Sequence, residues 1–172
     1  GYNYILSILT HGGTAVLQPY FDAERAAANV DTHEVTYLSG TDEMFTRLIE
    51  ADTFHPGLAD TLEKGVAFFA NGYDENTFEH IESEVGLPIV QPYGLSEANS
   101  QIFVGDPDDP QDQRKRVGGP LIYREEESAR IVDPETGDEL PTGERGELLL
   151  KGCNVLQRYL GKPEQTAEDL VD

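Results

Sequence analysis

The chain has 172 residues, with 33 acidic against 12 basic side chains and a formal net charge of −21. Such a surface offers no basic stripe from which a nucleic acid could release its counterions, which argues against a nucleic-acid partner. Hydrophobic residues make up 38% of the sequence, and seven Phe and eight Tyr supply enough apolar mass for a folded core.

The acidic residues run from Asp22 to Asp172 instead of gathering in one tail. A solvated, salt-adapted (halophilic) surface therefore competes with an acidic interaction surface, and the even spread favours the former. The run from Arg124 to Glu127 reads as a solvated turn. Cys153 is the only cysteine, which removes a disulfide framework and a CxxC metal clip and fits a cytoplasmic protein. The apolar stretch Tyr4 to Leu9 is too short to span a bilayer, and no charged leader precedes it.

In chain order, Tyr4, Ile5, Ile8 and Leu9 fall on helical spacing, and Gly12 and Gly13 end that helix. Thr14 to Gln18 reads as a buried strand. Asp22 is placed to cap an Ala-rich helix, followed by a strand over Val35 to Leu38. Thr41 can cap the next helix, which turns Met44, Phe45, Leu48 and Ile49 inward. The pattern then repeats: a strand at Gly65 to Ala70, a helix with Phe78, Ile81 and Val85 inward, and a strand at Pro88 to Gln91. Such alternation predicts crossover connections and an α/β fold with a mainly parallel sheet, whose ligands gather beyond the carboxyl ends of the strands.

After Phe103 the composition changes. Residues 105–116 carry Pro107, Pro110 and many charges, the marks of a linker or exposed loop. Beyond them Ser128 to Asp133 and Glu147 to Lys151 read as a hairpin, with turn residues at Glu135 to Asp138. Pro163 opens a short amphipathic helix. These signals divide the chain into a βα-alternating region over 1–104, a linker over 105–116 and a small antiparallel β region over 117–172.

At the end of the Pro88 to Gln91 strand, Pro92 and Gly94 force a tight loop. Tyr93 can offer its ring face to a planar heterocycle, and Gly94 allows close backbone approach. Ser96 can donate to a phosphate oxygen, and the Glu97 carboxylate is a hard ligand suited to Mg²⁺. An ordinary turn, with Ser96 and Glu97 capping the segment that follows, explains the same residues.

The run Tyr93-Gly94-Leu95-Ser96-Glu97 resembles the Tyr-Gly-Leu/Met-Thr-Glu signature of the adenylate-forming enzymes, the superfamily of acyl-CoA synthetases and AMP-dependent ligases. Arg116 to Leu121 resembles that family's Val-Gly-x-Pro segment. Thr142 to Leu170 is similar to its Gly-Glu-Leu-x-x-x-Gly and Gly-Tyr-x-x-x-Pro-x-x-Thr segments, and Gly12 to Leu48 to the strands and helix leading to the acyl pocket. The resemblance covers nearly the whole chain and implies a partial acyl-CoA synthetase-like fold. It implies further that a carboxylic acid and ATP give an acyl-adenylate, which most members pass to coenzyme A.

Carried over by residue, the resemblance has Tyr93 stack on adenine, Ser96 bond the phosphate and Glu97 hold Mg²⁺. Ser96 keeps the hydroxyl of the commoner Thr. Where the family often has Gly-Gly-Ala-Pro, this chain reads Phe69 to Asp74, so Asn71, Gly72 and Tyr73 are looser nucleotide candidates. Gly40 and Thr41 fall at expected acyl-pocket positions, although a strand-to-helix turn capped by Thr41 explains them equally well. His11, His33, His55 and His80 lack ligand spacing, and nothing marks Cys153 as a nucleophile.

The family's phosphate-gripping loop, its ribose-binding Thr-Gly-Asp segment and its mobile lysine-bearing domain find no match here. The expectation is an internal piece of a larger ligase, unable to form an adenylate alone. Two alternatives are an adenylation domain loading a carrier-protein thiol and an acidic interaction module that keeps the scaffold only. Oligomeric state and the acid used leave no signature.

Overall fold

A computed structural model describes residues 2–70, 72–99, 101–122 and 128–170. Asn71 and the Arg124 to Glu127 run lie outside the described residues. The backbone gathers into two units. The first comprises Gly1–Pro92 and Val104–Gly119, the second Tyr93–Phe103 and Pro120–Asp172. The two are thus interleaved along the chain, where the sequence signals place 1–104, 105–116 and 117–172 in series.

The first unit is built on strands β1 (Tyr37–Thr41), β2 (Lys64–Phe68) and β3 (Ile89–Val90), in spatial order β1-β2-β3. All run parallel: Tyr37 pairs with Lys64 through to Thr41 with Phe68, and Gly65 and Val66 pair with Ile89 and Val90. Parallel strands need crossovers, which helices α3 (Asp42–Ile49) and α4 (Glu75–Val85) supply. Helices α1 (Tyr2–Thr10) and α2 (Ala23–Thr32) precede β1.

Side-chain caps fix where these helices begin. Asp22 accepts from Arg25 N at 2.9 Å, Thr41 from Met44 N at 3.3 Å, and Asp74 from Thr77 N at 2.9 Å. The apolar faces meet in one core of Ala27, Val30, Phe45, Leu48, Phe78, Ile81, Val85 and Ile89. Leu58 joins it from a 3₁₀ turn at Pro56–Thr61.

Two sequence expectations shift. Thr14 to Gln18 lies in no strand, and Val16 and Leu17 are exposed. An apolar run becomes a strand only with a ladder partner, and no described strand pairs with it. The strand expected at Val35 to Leu38 instead occupies Tyr37–Thr41, where the backbone can pair with β2.

Residues 105–116 are anchored by ionic contacts. They include a helical turn, α5 (Gln111–Arg114), whose Arg114 pairs with Glu82 of α4; only 10% and 8% of the two side chains is exposed. Glu82 also accepts from Ile89 N at 2.8 Å and from Gln111 Nε2 at 2.7 Å, while Arg114 donates to Ile89 O at 3.0 Å and to Asp109 O at 2.8 Å. One ion pair thereby ties α4, β3 and α5 together.

The second unit centres on a hairpin of β4 (Ser128–Val132) and β5 (Glu147–Lys151), antiparallel with Ser128 opposite Lys151 and Val132 opposite Glu147. Asp133 starts the turn by accepting from Glu135 N at 2.8 Å and Thr136 N at 3.1 Å. Tyr93, Phe103 and Leu121 add isolated bridges, and α6 (Pro163–Asp169) begins at a proline.

Candidate functional site

The loop after β3 starts inside the first unit and ends in the second. Gln91 and Pro92 are buried, Gln91 only 6% exposed. The Gln91 carbonyl accepts from Gly118 N at 3.0 Å, and its side-chain Oε1 is buried without a partner among the described residues. Gly118 belongs to the Arg116 to Leu121 segment, and its neighbour Gly119 has φ +142°. A Cβ on Gly119 would lie 2.5 Å from Gly105 N, so only glycine lets these two backbone runs meet.

In the second unit, Tyr93 N donates to Phe103 O at 2.9 Å and Phe103 N to Tyr93 O at 3.0 Å. Tyr93 is 41% exposed, with its ring centroid 6.0 Å from that of Phe103. Ser96–Ala98 then form a 3₁₀ turn that starts without a side-chain cap. The capping explanation of Ser96 therefore does not describe this turn. Its hydroxyl-bearing residue is exposed, while Glu97 is half-buried.

The segment after β5 returns to this turn. Leu156 N donates to Glu97 O at 2.7 Å, Asn154 Nδ2 to Ala98 O at 3.2 Å, and the Tyr159 hydroxyl to Glu97 Oε1 at 3.2 Å. Tyr159 N donates in turn to Thr166 Oγ1 at 3.0 Å, and that hydroxyl donates to Lys162 O at 2.8 Å. Partial burial first, then the carboxylates of Asp169 and Glu97, push the Tyr159 phenol up to about 12, so it stays a neutral donor at ordinary pH.

Among the described residues no group of three His, Cys, Asp or Glu side chains could form a metal cage. One half-buried carboxylate oriented by a neutral hydroxyl suits a different mode of binding, in which Mg²⁺ takes most of its ligands from water and substrate phosphate. Glu97 fits that role. Ala98, Ile102, Leu150 and Val155 border a shallow surface depression with no room for a ligand, and neither Tyr93 nor Glu97 lines it.

The remaining candidates belong to the first unit. Gly40 and Thr41 end β1, opposite Ala67 and Phe68 at the end of β2, and Thr41 is the observed cap of α3. Gly72 is exposed. The Tyr73 ring packs against Phe69 and Phe78, with centroids at 5.1 and 6.3 Å, and its hydroxyl is buried without a partner among the described residues. Desolvation pushes that phenol up. Sequence reasoning missed Gln91 and Tyr159. The available signals were a polar residue closing an apolar strand, and an aromatic seven positions before a threonine.

A parallel βα sheet whose last strand feeds an aromatic, hydroxyl and carboxylate loop, followed by a hairpin unit, makes this an α/β protein. The family model described as "AMP-binding enzyme" matches residues 1–160, and the chain belongs to that family. Feruloyl-CoA synthase from Amycolatopsis sp is 28% identical over 167 residues, covering 97% of this chain and 33% of the relative. The 4-coumarate–CoA ligase-like 6 protein of Oryza sativa subsp. japonica is 30% identical over 173 residues, covering 99% of this chain and 28% of the relative. ATP-bound MatB from Rhodopseudomonas palustris superposes with a TM-score of 0.78 at 27% identity, covering 93% of this chain and 30% of that one. The MenE complex with ATP and magnesium from Bacillus subtilis shares the fold, with a TM-score of 0.81 at 23% identity over 100% of this chain and 34% of that one.

Proposed function

We propose that these residues form part of a larger ATP-dependent acyl-CoA ligase, which activates a carboxylic acid as its acyl-adenylate and transfers the acyl group to coenzyme A. The observation that carries the reading is the uncapped Ser96–Ala98 turn beside an exposed Tyr93 ring, with Glu97 held in place within it. Tyr93 stacks on adenine, Gly94 lets the backbone approach, and Ser96 donates to a phosphate oxygen. Glu97 holds Mg²⁺, which when bound offsets the charge that builds as a carboxylate attacks the α-phosphate.

Gly72 and Tyr73, with Asn71 between them and β2, are proposed to border the adenine through the backbone. Gly40 and Thr41 are proposed to wall the acyl subsite. The CoA-ligase relatives favour coenzyme A over a carrier-protein thiol as acceptor. The dispersed acidic residues and the single cysteine support a cytoplasmic, salt-rich setting.

The test is acid-dependent pyrophosphate release by the larger ligase. Tyr93→Ala should raise KM for ATP about tenfold, the order expected for losing one base stack. Glu97→Ala should lower kcat about 10²-fold, as expected for removing a charge-stabilising group. Unchanged kinetics in both variants would leave only the acidic-scaffold alternative. The 172-residue chain alone should release no pyrophosphate above a protein-free control, because it holds few of the groups that must position the triphosphate.

A further inference from the structure

We infer that Tyr159 and Thr166 are positioning residues for the Glu97 carboxylate, and that this is the physical task of the Tyr-x₆-Thr spacing in the segment that closes the chain. The inference rests on the proposed role of Glu97 as the Mg²⁺ ligand. It adds residues to which the motif resemblance gave no task.

The linkage runs in three steps within the second unit. Pro163 starts α6, which brings Thr166 over the preceding turn, where its hydroxyl accepts from Tyr159 N at 3.0 Å while donating to Lys162 O at 2.8 Å. A hydroxyl used in both directions leaves the backbone at 159 little freedom. The Tyr159 side chain then reaches Glu97, 62 positions earlier, and donates to Oε1 at 3.2 Å. The same segment grips the main chain on either side of that contact, through Leu156 N to Glu97 O at 2.7 Å and Asn154 Nδ2 to Ala98 O at 3.2 Å. Backbone and side chain of residue 97 are therefore held by one segment, residues 154–159.

The chemistry of the donor matters as much as its position. An Arg or Lys partner would orient the carboxylate and also cancel its charge, leaving little attraction for a divalent cation. A phenol fixes one oxygen and adds no charge, so the carboxylate keeps its full attraction for a metal. Hydrogen-bond partners of metal-binding carboxylates typically contribute ten- to hundredfold in metal affinity. The hydroxyl makes the contact with Glu97 while also facing the Asp169 carboxylate of α6, so the metal readout separates the positioning role from the anchoring of that helix.

The test uses Mn²⁺ as a paramagnetic stand-in for Mg²⁺, titrated into the 172-residue chain in about 1 M KCl to screen the many other carboxylates. The readout is broadening of the Ala98 amide signal, and Leu149 and Leu150 signals at their wild-type positions before metal is added report an intact hairpin. Tyr159→Phe should raise the Mn²⁺ concentration for half-broadening about tenfold, Thr166→Val should raise it in the same direction, and Glu97→Gln should abolish the local effect. In the larger ligase, Tyr159→Phe should raise the Mg²⁺ activation constant about tenfold and leave KM for the acid within about twofold.

Loss of local broadening in Glu97→Gln with wild-type behaviour in Tyr159→Phe overturns the positioning role and spares the assignment of Glu97. Equal broadening in wild type and Glu97→Gln, or none at Ala98 in the wild type, overturns the metal assignment and the inference with it. An intermediate response in Tyr159→Phe, with the hairpin signals in place, supports both.

Discussion

At residue 119 the backbone conformation and its surroundings make the same demand. The φ of +142° lies where L side chains are strained, and an added Cβ would fall 2.5 Å from Gly105 N and from the Val104 carbonyl carbon. Neither neighbour is a side chain that can swing away, so Gly119→Ala must move backbone. We expect it to lower stability by about 2 kcal/mol or more in urea unfolding followed by circular dichroism. Because Gly118 N holds the Gln91 carbonyl, the shift should also reach the loop that carries Tyr93. Wild-type stability in Gly119→Ala would show that the two backbone runs are not packed as described.

Among the elements, the Glu82 and Arg114 pair deserves a quantitative expectation because so little of it meets water. Both side chains are about nine-tenths covered, and each also bonds Ile89 of β3. Glu82→Gln leaves an uncompensated guanidinium in a poorly solvated place and should cost about 3 kcal/mol in urea unfolding. Asp108→Asn, which breaks the solvent-exposed pair with Lys64, should change stability by less than about 1 kcal/mol. Similar losses in the two variants would contradict the burial of the first pair.

The same ion pair shows what hydropathy cannot read. Residues 105–116 carry no apolar signal, and the partner that holds them is a charge 32 positions away on α4. Where structure followed from neighbours in sequence, it was legible. Asp22 and Thr41 start helices as their side chains predict, and the apolar spacing of Phe78, Ile81 and Val85 marks the buried face of α4. Thr14 to Gln18 had the composition of a strand, but composition does not provide a pairing edge. The loop candidates at Tyr93 to Glu97 could be named from their chemistry and family resemblance. The contact of Tyr159 with Glu97 could not, because it depends on a fold that closes a 62-residue separation.

For the molecule as a whole, the net charge of −21 sets a condition on stability. Among the described residues four cation-to-carboxylate bridges form, few against 33 acidic side chains that repel one another through solvent. Screening shortens the range of that repulsion from about 10 Å at 0.1 M salt to about 3 Å at 1 M. The thermal midpoint should therefore rise by at least several degrees between about 0.1 and 2 M KCl, whereas a flat response would remove the argument for a salt-adapted surface.

The polypeptide passes from one contact unit to the other after Pro92, again after Phe103, and a third time after Gly119. No single scission can yield both units whole, since a nick between residues 105 and 116 strands Tyr93–Phe103 on one product and most of its pairing partners on the other. Glu97 and Tyr159 thus lie on opposite sides of the 105–116 stretch yet share one unit, and any cut within that stretch parts them.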